Sequence, residues 1–321
     1  MKKLLYYKIL KFQPENLKVL QDNFDVISLE TPQDDTDEIL SDINIAFAPL
    51  GFFFDKEKIN RMPKLEIIAS NTTGEPHIGR EYAESKGIKV FSLKFEQEFL
   101  KTITPTAEHT WGLVLALIRH TPWAYQLVLG GTWDRRPFGG KAMMSKMSIG
   151  IAGLGRLGKL VAQYAKAFQM PKILYYDPFV ENCEIAGIEK ANSLDELVCQ
   201  CDIITIHIPA KKETYKIFNK ELFSKFKPGS YLINTSRAEL VDENAMLEAL
   251  ETGKLAGAAI DVFEGEFEMN HDELLRKSSL LAYAKTHNNF LITPHIGGST
   301  IDAWKLTEQR IIDKILEQLK R

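Results

Sequence analysis

The stretch SIGIAGLGRLGKLV, residues 148–161, decides the fold of this chain. It begins with an apolar run that suits a buried parallel strand, and from Arg156 onward its apolar residues have the spacing of an amphipathic helix. Gly153 permits a sharp turn between the two, Gly155 lets the backbone approach a pyrophosphate, and Gly158 lets the helix pack closely on the strand. The helix N-terminus supplies free N–H groups for phosphate oxygens. We interpret the stretch as a dinucleotide-binding turn.

An acidic residue ends the next strand candidate. Asp177 closes the run 172–177, about 20 residues after the last glycine, where the ribose of a bound dinucleotide is expected. A carboxylate accepts hydrogen bonds from the 2′ and 3′ hydroxyls and repels a 2′-phosphate, so NAD is favoured over NADP. Two plainer explanations stay open. The glycines can serve helix packing alone, and Asp177 can be a turn residue before Pro178.

The composition excludes several classes of function. The chain has 321 residues, of which 45% are hydrophobic, and this is enough for two domains with cores of their own. Its formal net charge of −3 offers no basic field for nucleic acid or for an anionic membrane surface. Lys8 and Lys11 interrupt the first apolar run, which is therefore predicted to be a strand and not a signal sequence. No apolar run reaches the roughly 18 residues of a membrane span.

The cysteine pattern indicates neither a disulfide framework nor a metal site. Cys183 stands alone, and Cys199 and Cys201 have no His or Cys partners at ligand spacing. Reduced thiols are typical of intracellular proteins. We therefore expect a cytoplasmic location and no metal.

Strand candidates alternate with helix candidates from residue 148 onward. The strand candidates are 148–153, 172–177, 202–208, 230–235, 256–262 and 289–293. The helices between them carry start signals, namely Ser193 with Glu196 as a capping box, and Asp242 before a helix that stops at Gly253. This alternation predicts a parallel, doubly wound sheet.

A second α/β unit is predicted in the first hundred residues. Its strand candidates are 4–10, 25–29, 44–48, 65–69 and 88–92. An apolar helix, 104–120, connects the two units. An amphipathic stretch from Ser299 to Leu319, with Ser299 and Asp302 as a capping pair, closes the chain.

Three segments that follow later strands each offer one reactive side chain; they are 232–242, 257–266 and 291–300. Arg237 keeps its charge and suits a bidentate grip on a substrate carboxylate. His295 changes charge near neutral pH and suits exchange of the hydroxyl proton of a secondary alcohol. Glu266 would hold that ring in one tautomer and favour its protonated form. Taken singly, they can also be a surface arginine, a loop glutamate and a buried structural histidine.

The other histidines carry weaker signals. His207 ends a central strand candidate, and we expect it and Pro209 to line the adenine side of the cofactor. The remaining histidines are interpreted as structural or solvated: His77, His109, His120, His271 and His287.

These motifs, in this order, resemble the D-isomer-specific 2-hydroxyacid dehydrogenases, and in particular their phosphoglycerate dehydrogenase-like group. The resemblance runs from about residue 65 to residue 305. It implies interconversion of a D-2-hydroxy acid and a 2-keto acid, with Arg237, Glu266 and His295 as catalytic residues. It further implies cofactor contacts, which are Arg156 and Leu157 at the pyrophosphate, Asp177 at the ribose, and Thr235, Ser236 and Asp261 around the nicotinamide.

The resemblance also implies a domain organisation. The expected NAD-binding domain is a Rossmann fold over 104–298, and the expected substrate domain is a flavodoxin-like fold over 1–103 completed by 299–321. The usual state in this family is a homodimer built on the NAD domain. We expect no regulatory domain beyond residue 321 and hence no feedback by serine.

Two segments depart from the family pattern. In the substrate loop, the family's usual glycine-rich and Asp-Asn pattern is replaced by Thr72, Thr73, Glu75, Pro76 and His77. We still expect Thr72, Thr73 and Gly74 to contact the substrate. Phe267 stands where a proline usually follows the catalytic glutamate, and the segment from there to His295 is longer than usual. Glu264 and Glu268 therefore stay open as alternatives to Glu266.

Three functions fit the chain to different degrees. The leading hypothesis is an NAD-dependent dehydrogenase of a small 2-hydroxy acid, with phosphorylated and sugar-derived acids included. The second is an NAD-sensing corepressor, which would expose a hydrophobic groove to which 52–54, three phenylalanines, would contribute unless they form a buried edge. Formate dehydrogenase is disfavoured because it has Gln where Glu266 stands.

Overall fold

A computed structural model describes residues 1–268 and 270–320. These residues divide into two compact units. The first unit contains Met1–Ile103 and the segment from Ser299 onward, together with a short piece that begins at Phe267, and the second contains Thr104–Glu266 and Asn270–Gly298. Within the described part of the chain, no helix combines the length and the apolar character that a membrane crossing takes.

The first unit is built on a parallel sheet of five strands in the order β2-β1-β3-β4-β5. The strands are β1 Lys3–Tyr7, β2 Asp25–Leu29, β3 Ile45–Phe47, β4 Ile67–Ala69 and β5 Lys89–Phe91. The helices between them are α1 Pro14–Asn23, α2 Asp37–Leu40, α3 Lys56–Asn60, α4 Arg80–Ser85 and α5 Gln97–Leu100. This strand order is that of the flavodoxin-like fold, as predicted.

The second unit is built on a parallel sheet of seven strands in the order β12-β11-β10-β9-β6-β7-β8. Its strands are β6 Ser148–Ala152, β7 Lys172–Tyr176, β8 Glu189–Lys190, β9 Ile203–Ile206, β10 Ser230–Asn234, β11 Leu255–Ile260 and β12 Phe290–Ile292. Its helices are α6 Pro105–Ile118, α7 Thr121–Leu129, α8 Arg156–Ala167, α9 Leu194–Gln200, α10 Lys220–Lys225, α11 Glu243–Glu251, α12 His271–Lys277 and α13 Ser279–Thr286. The order reverses between β6 and β9, as in a Rossmann fold. The chain ends in α14, Ile301–Leu319, which is part of the first unit.

Both sheets are covered on both faces, which explains their continuous apolar strands. In the first unit, Ile67 packs with the apolar residues of α14 and Ile68 packs on the opposite face. In the second unit, Ile203 and Ile204 belong to two different core clusters in the same way. The predicted class, two doubly wound parallel α/β sheets, is confirmed.

Several local predictions were wrong. The first strand ends at Tyr7, and Lys8–Leu10 forms a 3₁₀ turn that closes at Lys11 in the left-handed conformation, with φ +48°. The capping residue of α14 is Thr300 and not Ser299, because the Thr300 hydroxyl accepts the hydrogen bond from the Ala303 N–H.

The predicted capping box of α9 is only half formed. The Ser193 hydroxyl accepts from the Glu196 N–H at 3.1 Å, but the Glu196 carboxylate accepts from the Asn192 N–H instead of the Ser193 N–H. The Asp242 cap of α11 is confirmed, because its carboxylate accepts from two backbone N–H groups and the chain turns at Gly253 with φ +72°. The sequence did not predict α7, α12, α13 or the two-residue edge strand β8.

Candidate active site

The turn between β6 and α8 requires glycine at two of its three glycine positions, and the third leaves its backbone open. Gly153 has φ +93°, and a Cβ there would lie 2.8 Å from the His207 carbonyl oxygen. A Cβ on Gly158 would lie 2.1 Å from the Gly153 carbonyl oxygen, so only glycine lets α8 approach the turn. A Cβ on Gly155 would meet no atom within 4 Å, so the backbone there is open to a ligand. This geometry suits a pyrophosphate at the N-terminus of α8.

The first two residues of α8 differ in their surroundings. The Arg156 side chain is partly buried, and burial lowers the pKa of its guanidinium. The Leu157 side chain packs against the core, so only its backbone is available to a phosphate.

The Asp177 carboxylate holds two backbone segments. Its Oδ2 accepts from the Leu154 N–H at 2.8 Å, and its Oδ1 accepts from the Phe179 N–H at 2.9 Å. Each carboxylate oxygen has two lone pairs, so both can still accept a ribose hydroxyl. The same contacts fix the carboxylate beside the glycine turn.

His207 follows β9, next to the glycine turn, and its backbone N–H donates to the Ala152 carbonyl at 2.7 Å. Both ring nitrogens are buried without a hydrogen-bond partner among the described residues. Burial lowers the pKa of this imidazole to about 4, so the ring is neutral at pH 7. A neutral ring with unused polar atoms at the switch point of the sheet fits a cofactor contact. Pro209, two residues on, is exposed.

Asn234 shapes the turn that carries Thr235, Ser236 and Arg237 at the end of β10. The Asn234 side chain accepts from the Ser236 N–H at 3.0 Å and donates to the Arg237 carbonyl at 2.9 Å. The Thr235 hydroxyl lies 2.6 Å from that of Thr110 on α6. Arg237 is partly exposed, and its Nη1 donates to the Ser236 carbonyl at 2.7 Å.

The Asp261 carboxylate, only 1% exposed, anchors the loop that follows β12. Its Oδ1 accepts from the Thr293 hydroxyl at 2.6 Å and from the Ile296 N–H at 3.0 Å, and its Oδ2 accepts from the Gly297 N–H at 2.7 Å. His109 of α6 places Nε2 at 3.3 Å from Oδ1. Asp261 therefore holds the Thr293 side chain before His295 and the backbone of Ile296 and Gly297 after it.

His295 and Glu266 face each other in the second unit. The His295 Nδ1 lies 2.9 Å from the Glu266 Oε2, and the Glu266 side chain is 15% exposed. His295 has φ +51°, an uncommon conformation for a residue other than glycine. Glu264 and Glu268 are both exposed. The structure thus places His295 beside Glu266, the glutamate that the sequence predicts as its partner.

The predicted substrate loop follows β4 in the first unit. The Thr72 hydroxyl donates to the Gly74 carbonyl at 2.5 Å, and the Leu93 N–H donates to the Thr72 carbonyl at 3.0 Å. Thr73 between them is exposed. The loop is therefore held by its own contacts and presents the middle residue outward.

Sequence reasoning missed Asn234, Thr293 and His109 as parts of the site. The sequence indicates only a structural or solvated role for His109, whereas its Nε2 lies 3.1 Å from the Thr293 hydroxyl. Because that hydroxyl already donates to Asp261, it must accept from His109, which fixes the proton on Nε2. The available signal for Asn234 was an Asn directly before a reactive Thr-Ser-Arg turn.

Comparisons with known proteins agree with this arrangement. A family model described as "D-isomer specific 2-hydroxyacid dehydrogenase, NAD binding domain" matches residues 111–297. A D-3-phosphoglycerate dehydrogenase of Methanocaldococcus jannaschii is 32% identical over 98% of this chain and 57% of its own length. A hydroxypyruvate reductase of Thermotoga maritima is 31% identical over 93% of this chain and 92% of its own. The chain spans about half the length of the phosphoglycerate dehydrogenases that it matches.

Solved structures give the same result. A D-lactate dehydrogenase of Aquifex aeolicus, solved with NAD and lactic acid, has a TM-score of 0.80 and 26% identity over 99% of this chain and 96% of that one. The pyruvate reductase of Chlamydomonas reinhardtii has a TM-score of 0.83 and 27% identity over 99% and 97%. This chain belongs to the D-isomer-specific 2-hydroxyacid dehydrogenase family.

Proposed function

We propose that this protein is an NAD-dependent oxidoreductase that interconverts a small D-2-hydroxy acid and its 2-keto acid. The observation that carries the proposal is the 2.9 Å contact between His295 Nδ1 and Glu266 Oε2, in the unit that also contains the dinucleotide turn. A histidine paired with a carboxylate is the arrangement that proton exchange with a substrate hydroxyl needs.

The cofactor would be held by the residues around the glycine turn. The open backbone at Gly155 and the N-terminus of α8 fit the pyrophosphate, Asp177 fits the ribose, and the buried ring of His207 fits a contact near the switch point. When bound, the nicotinamide supplies the hydride for reduction or takes it up in oxidation. Asp177 makes NADH the preferred form, because its carboxylate would repel a 2′-phosphate.

The chain's own residues bind the acid and move the proton. Because Glu266 occupies Nδ1 of His295, the ring exchanges the proton with the substrate oxygen through Nε2. Arg237 binds the substrate carboxylate with its planar guanidinium. We propose that Thr72, Thr73 and Gly74 contribute further substrate contacts. The printed names of the relatives, phosphoglycerate dehydrogenase and hydroxypyruvate reductase, make three-carbon acids with and without phosphate the first candidates.

We further propose that the protein is a homodimer formed through α7 and the segment after it. The helix, TPWAYQLVL, contains no buried residue. Six of its nine residues are nevertheless apolar or aromatic, namely Trp, Ala, Tyr, Val and two Leu. Leu129 is 62% exposed, and Trp133 is 91% exposed. An apolar helix of this kind is the expected centre of a subunit interface. Leu129→Asp should shift the protein from dimer to monomer in sedimentation, and a wild-type monomer at micromolar concentration would contradict the proposal.

A cytoplasmic location is supported by the three cysteines, Cys183, Cys199 and Cys201, all of which are free thiols. The corepressor alternative gains no specific support. Phe54 is completely buried, whereas Phe53 is 63% exposed, so the three phenylalanines do not form one continuous exposed groove.

The decisive experiment is a screen of 2-keto acids with NADH, in which turnover is measured as the loss of NADH absorbance. We expect turnover with at least one short acid and its loss in His295→Asn. A protein that binds NADH tightly but reduces no acid in the panel would be an NAD-sensing binding protein, and the proposal would be wrong.

A further inference from the structure

The substrate loop of the first unit is built on a buried carboxylate that the proposed reaction does not use. The Glu75 side chain is 8% exposed. It accepts two hydrogen bonds from Arg80, both at 2.7 Å, one from the Ser92 hydroxyl at 2.7 Å and one from Lys94 Nζ at 2.9 Å. Burial alone would raise the pKa of Glu75, but these donors lower it to about 2, so the group is ionised at neutral pH.

The cations on this loop are therefore already neutralised. Arg80 holds Glu75 through Nε and Nη2 and holds Glu84 through Nη1 at 2.7 Å. Lys94 holds Glu75 as well. The two cations, Arg80 and Lys94, thus match the two carboxylates, Glu75 and Glu84. A substrate phosphate would have to displace Glu75 from these two cations and leave a buried carboxylate without a counter-ion, which is strongly unfavourable.

The neighbouring loops at this edge of the sheet expose apolar side chains. β3 and β5 flank β4, and the carboxyl ends of parallel strands lie at one edge, so the loops after all three are neighbours. The loop after β3 exposes Leu50 and Phe53, and the loop after β5 exposes Phe95, which is 70% accessible. Arg80 and Lys94 lie over the Phe95 ring, at 5.8 and 5.5 Å from its centre.

We propose that Glu75 is a specificity-determining residue that makes this loop select 2-keto acids with an uncharged distal group and disfavour phosphorylated ones. The inference rests on the proposed function and narrows its substrate class. The loop offers apolar surface and neutralised cations, whereas phosphate recognition depends on arginine and lysine side chains that are free to pair with the ligand.

The test compares two acids that differ only in the phosphate, hydroxypyruvate and 3-phosphohydroxypyruvate. For the wild-type protein we expect kcat/KM for hydroxypyruvate to be at least about tenfold higher. Glu75→Gln keeps the shape and removes the charge, so Arg80 and Lys94 become available to phosphate, and the preference should narrow by about three- to tenfold. Glu84→Gln is the matched control. It removes the exposed partner of Arg80 while Glu75 still holds both Arg80 and Lys94, so the preference should change by less than about twofold.

A second variant keeps the proposal testable if Glu75→Gln does not fold. Lys94 is 48% exposed, and Lys94→Gln should leave the preference unchanged within about twofold, because a lysine held by Glu75 binds no phosphate. The proposal is overturned if the wild type prefers 3-phosphohydroxypyruvate, if Lys94→Gln selectively lowers activity on that acid, or if a folded Glu75→Gln shows the wild-type preference. Failure to reduce either acid, or any other in the panel, would instead contradict the proposed function.

Discussion

Replacing Asp261 with Asn tests whether the loop that carries His295 is positioned by a buried carboxylate. The change keeps the shape of the side chain and removes one acceptor oxygen and the charge. In the native protein the carboxylate takes three donors on Oδ1, from Thr293, Ile296 and His109, and one on Oδ2, from Gly297.

The size of the effect follows from this division of donors. The best orientation of the asparagine keeps its oxygen toward the three donors and turns its NH₂ group toward the buried Gly297 N–H. One charge-assisted hydrogen bond is lost and one buried donor is left unpaired, which together cost about 2–4 kcal/mol of stability. Since a displacement of about 1 Å in a catalytic group can cost about 100-fold, we expect kcat to fall by a comparable factor.

The loss of stability has a defined pH dependence. Burial would raise the pKa of Asp261, but its four donors lower it below the ordinary value of 3.8. A carboxyl group with a lowered pKa stabilises the folded state above its unfolded pKa, and this contribution disappears as the pH falls through the folded value. The difference in stability between wild type and Asp261→Asn should therefore shrink below about pH 4.

Asp202→Asn provides the matched control. Asp202 accepts from the Ser148 N–H at 2.8 Å, from the Ser148 hydroxyl at 2.7 Å and from Lys227 at 2.6 Å, but it precedes β9 and so lies at the amino ends of the strands. Thermal unfolding should show a lower Tm for both variants, whereas keto-acid turnover should show a large fall in kcat for Asp261→Asn alone. The reasoning fails if Asp261→Asn keeps kcat within about threefold of Asp202→Asn.

Four further predictions concern the proposed cofactor and catalytic residues. Asp177→Ala should narrow the preference for NADH over NADPH, mainly by raising KM for NADH; equal kcat/KM for both cofactors in the wild type would contradict the role. Arg237→Lys should lower kcat/KM by about 100-fold because a point charge cannot replace the planar fork, and activity within about threefold of wild type would exclude the bidentate role. His295→Asn should abolish most turnover in both directions while Kd for NADH stays within about twofold of the wild-type value. Glu266→Gln should move the alkaline limit of keto-acid reduction to lower pH in a kcat/KM profile, because reduction needs the protonated ring that Glu266 favours. An unchanged profile would leave Glu266 a structural role.

The sequence predicted those parts of the fold whose requirements are local. The glycine turn is one such part, because the close contact of Gly158 with the Gly153 carbonyl is set within a few residues and only glycine permits it. The sequence did not predict α7, because His120, which is not a glycine, takes the left-handed conformation that separates it from α6. Pro122 near the start of α7 was the available signal, since proline is favoured in the first turn of a helix.

Long-range hydrogen bonds explain what was missed in the site. His109 lies on α6 and contacts Thr293, which is 184 residues later in the sequence, and Asp261. No local pattern around His109 indicates those partners. Asp261 follows a strand, as many structural aspartates do, and the donors that it collects come mostly from a loop after another strand. Tertiary contact, and not periodicity, assigns these residues to the site.

The choice of Glu266 over its neighbours depends on a turn that the sequence already contained. The Glu266 N–H donates to the Phe263 carbonyl at 3.0 Å, and Gly265 between them has φ +90°. A four-residue turn with a positive φ at its third position has the form that favours glycine there, as in type II turns. The turn leaves Glu264 exposed at its second position and brings the chain back at Glu266, which meets His295. Because the Gly265 turn fixes the loop of Glu266 and the Asp261 carboxylate fixes the loop of His295, the His295–Glu266 pair is held by contacts within the second unit.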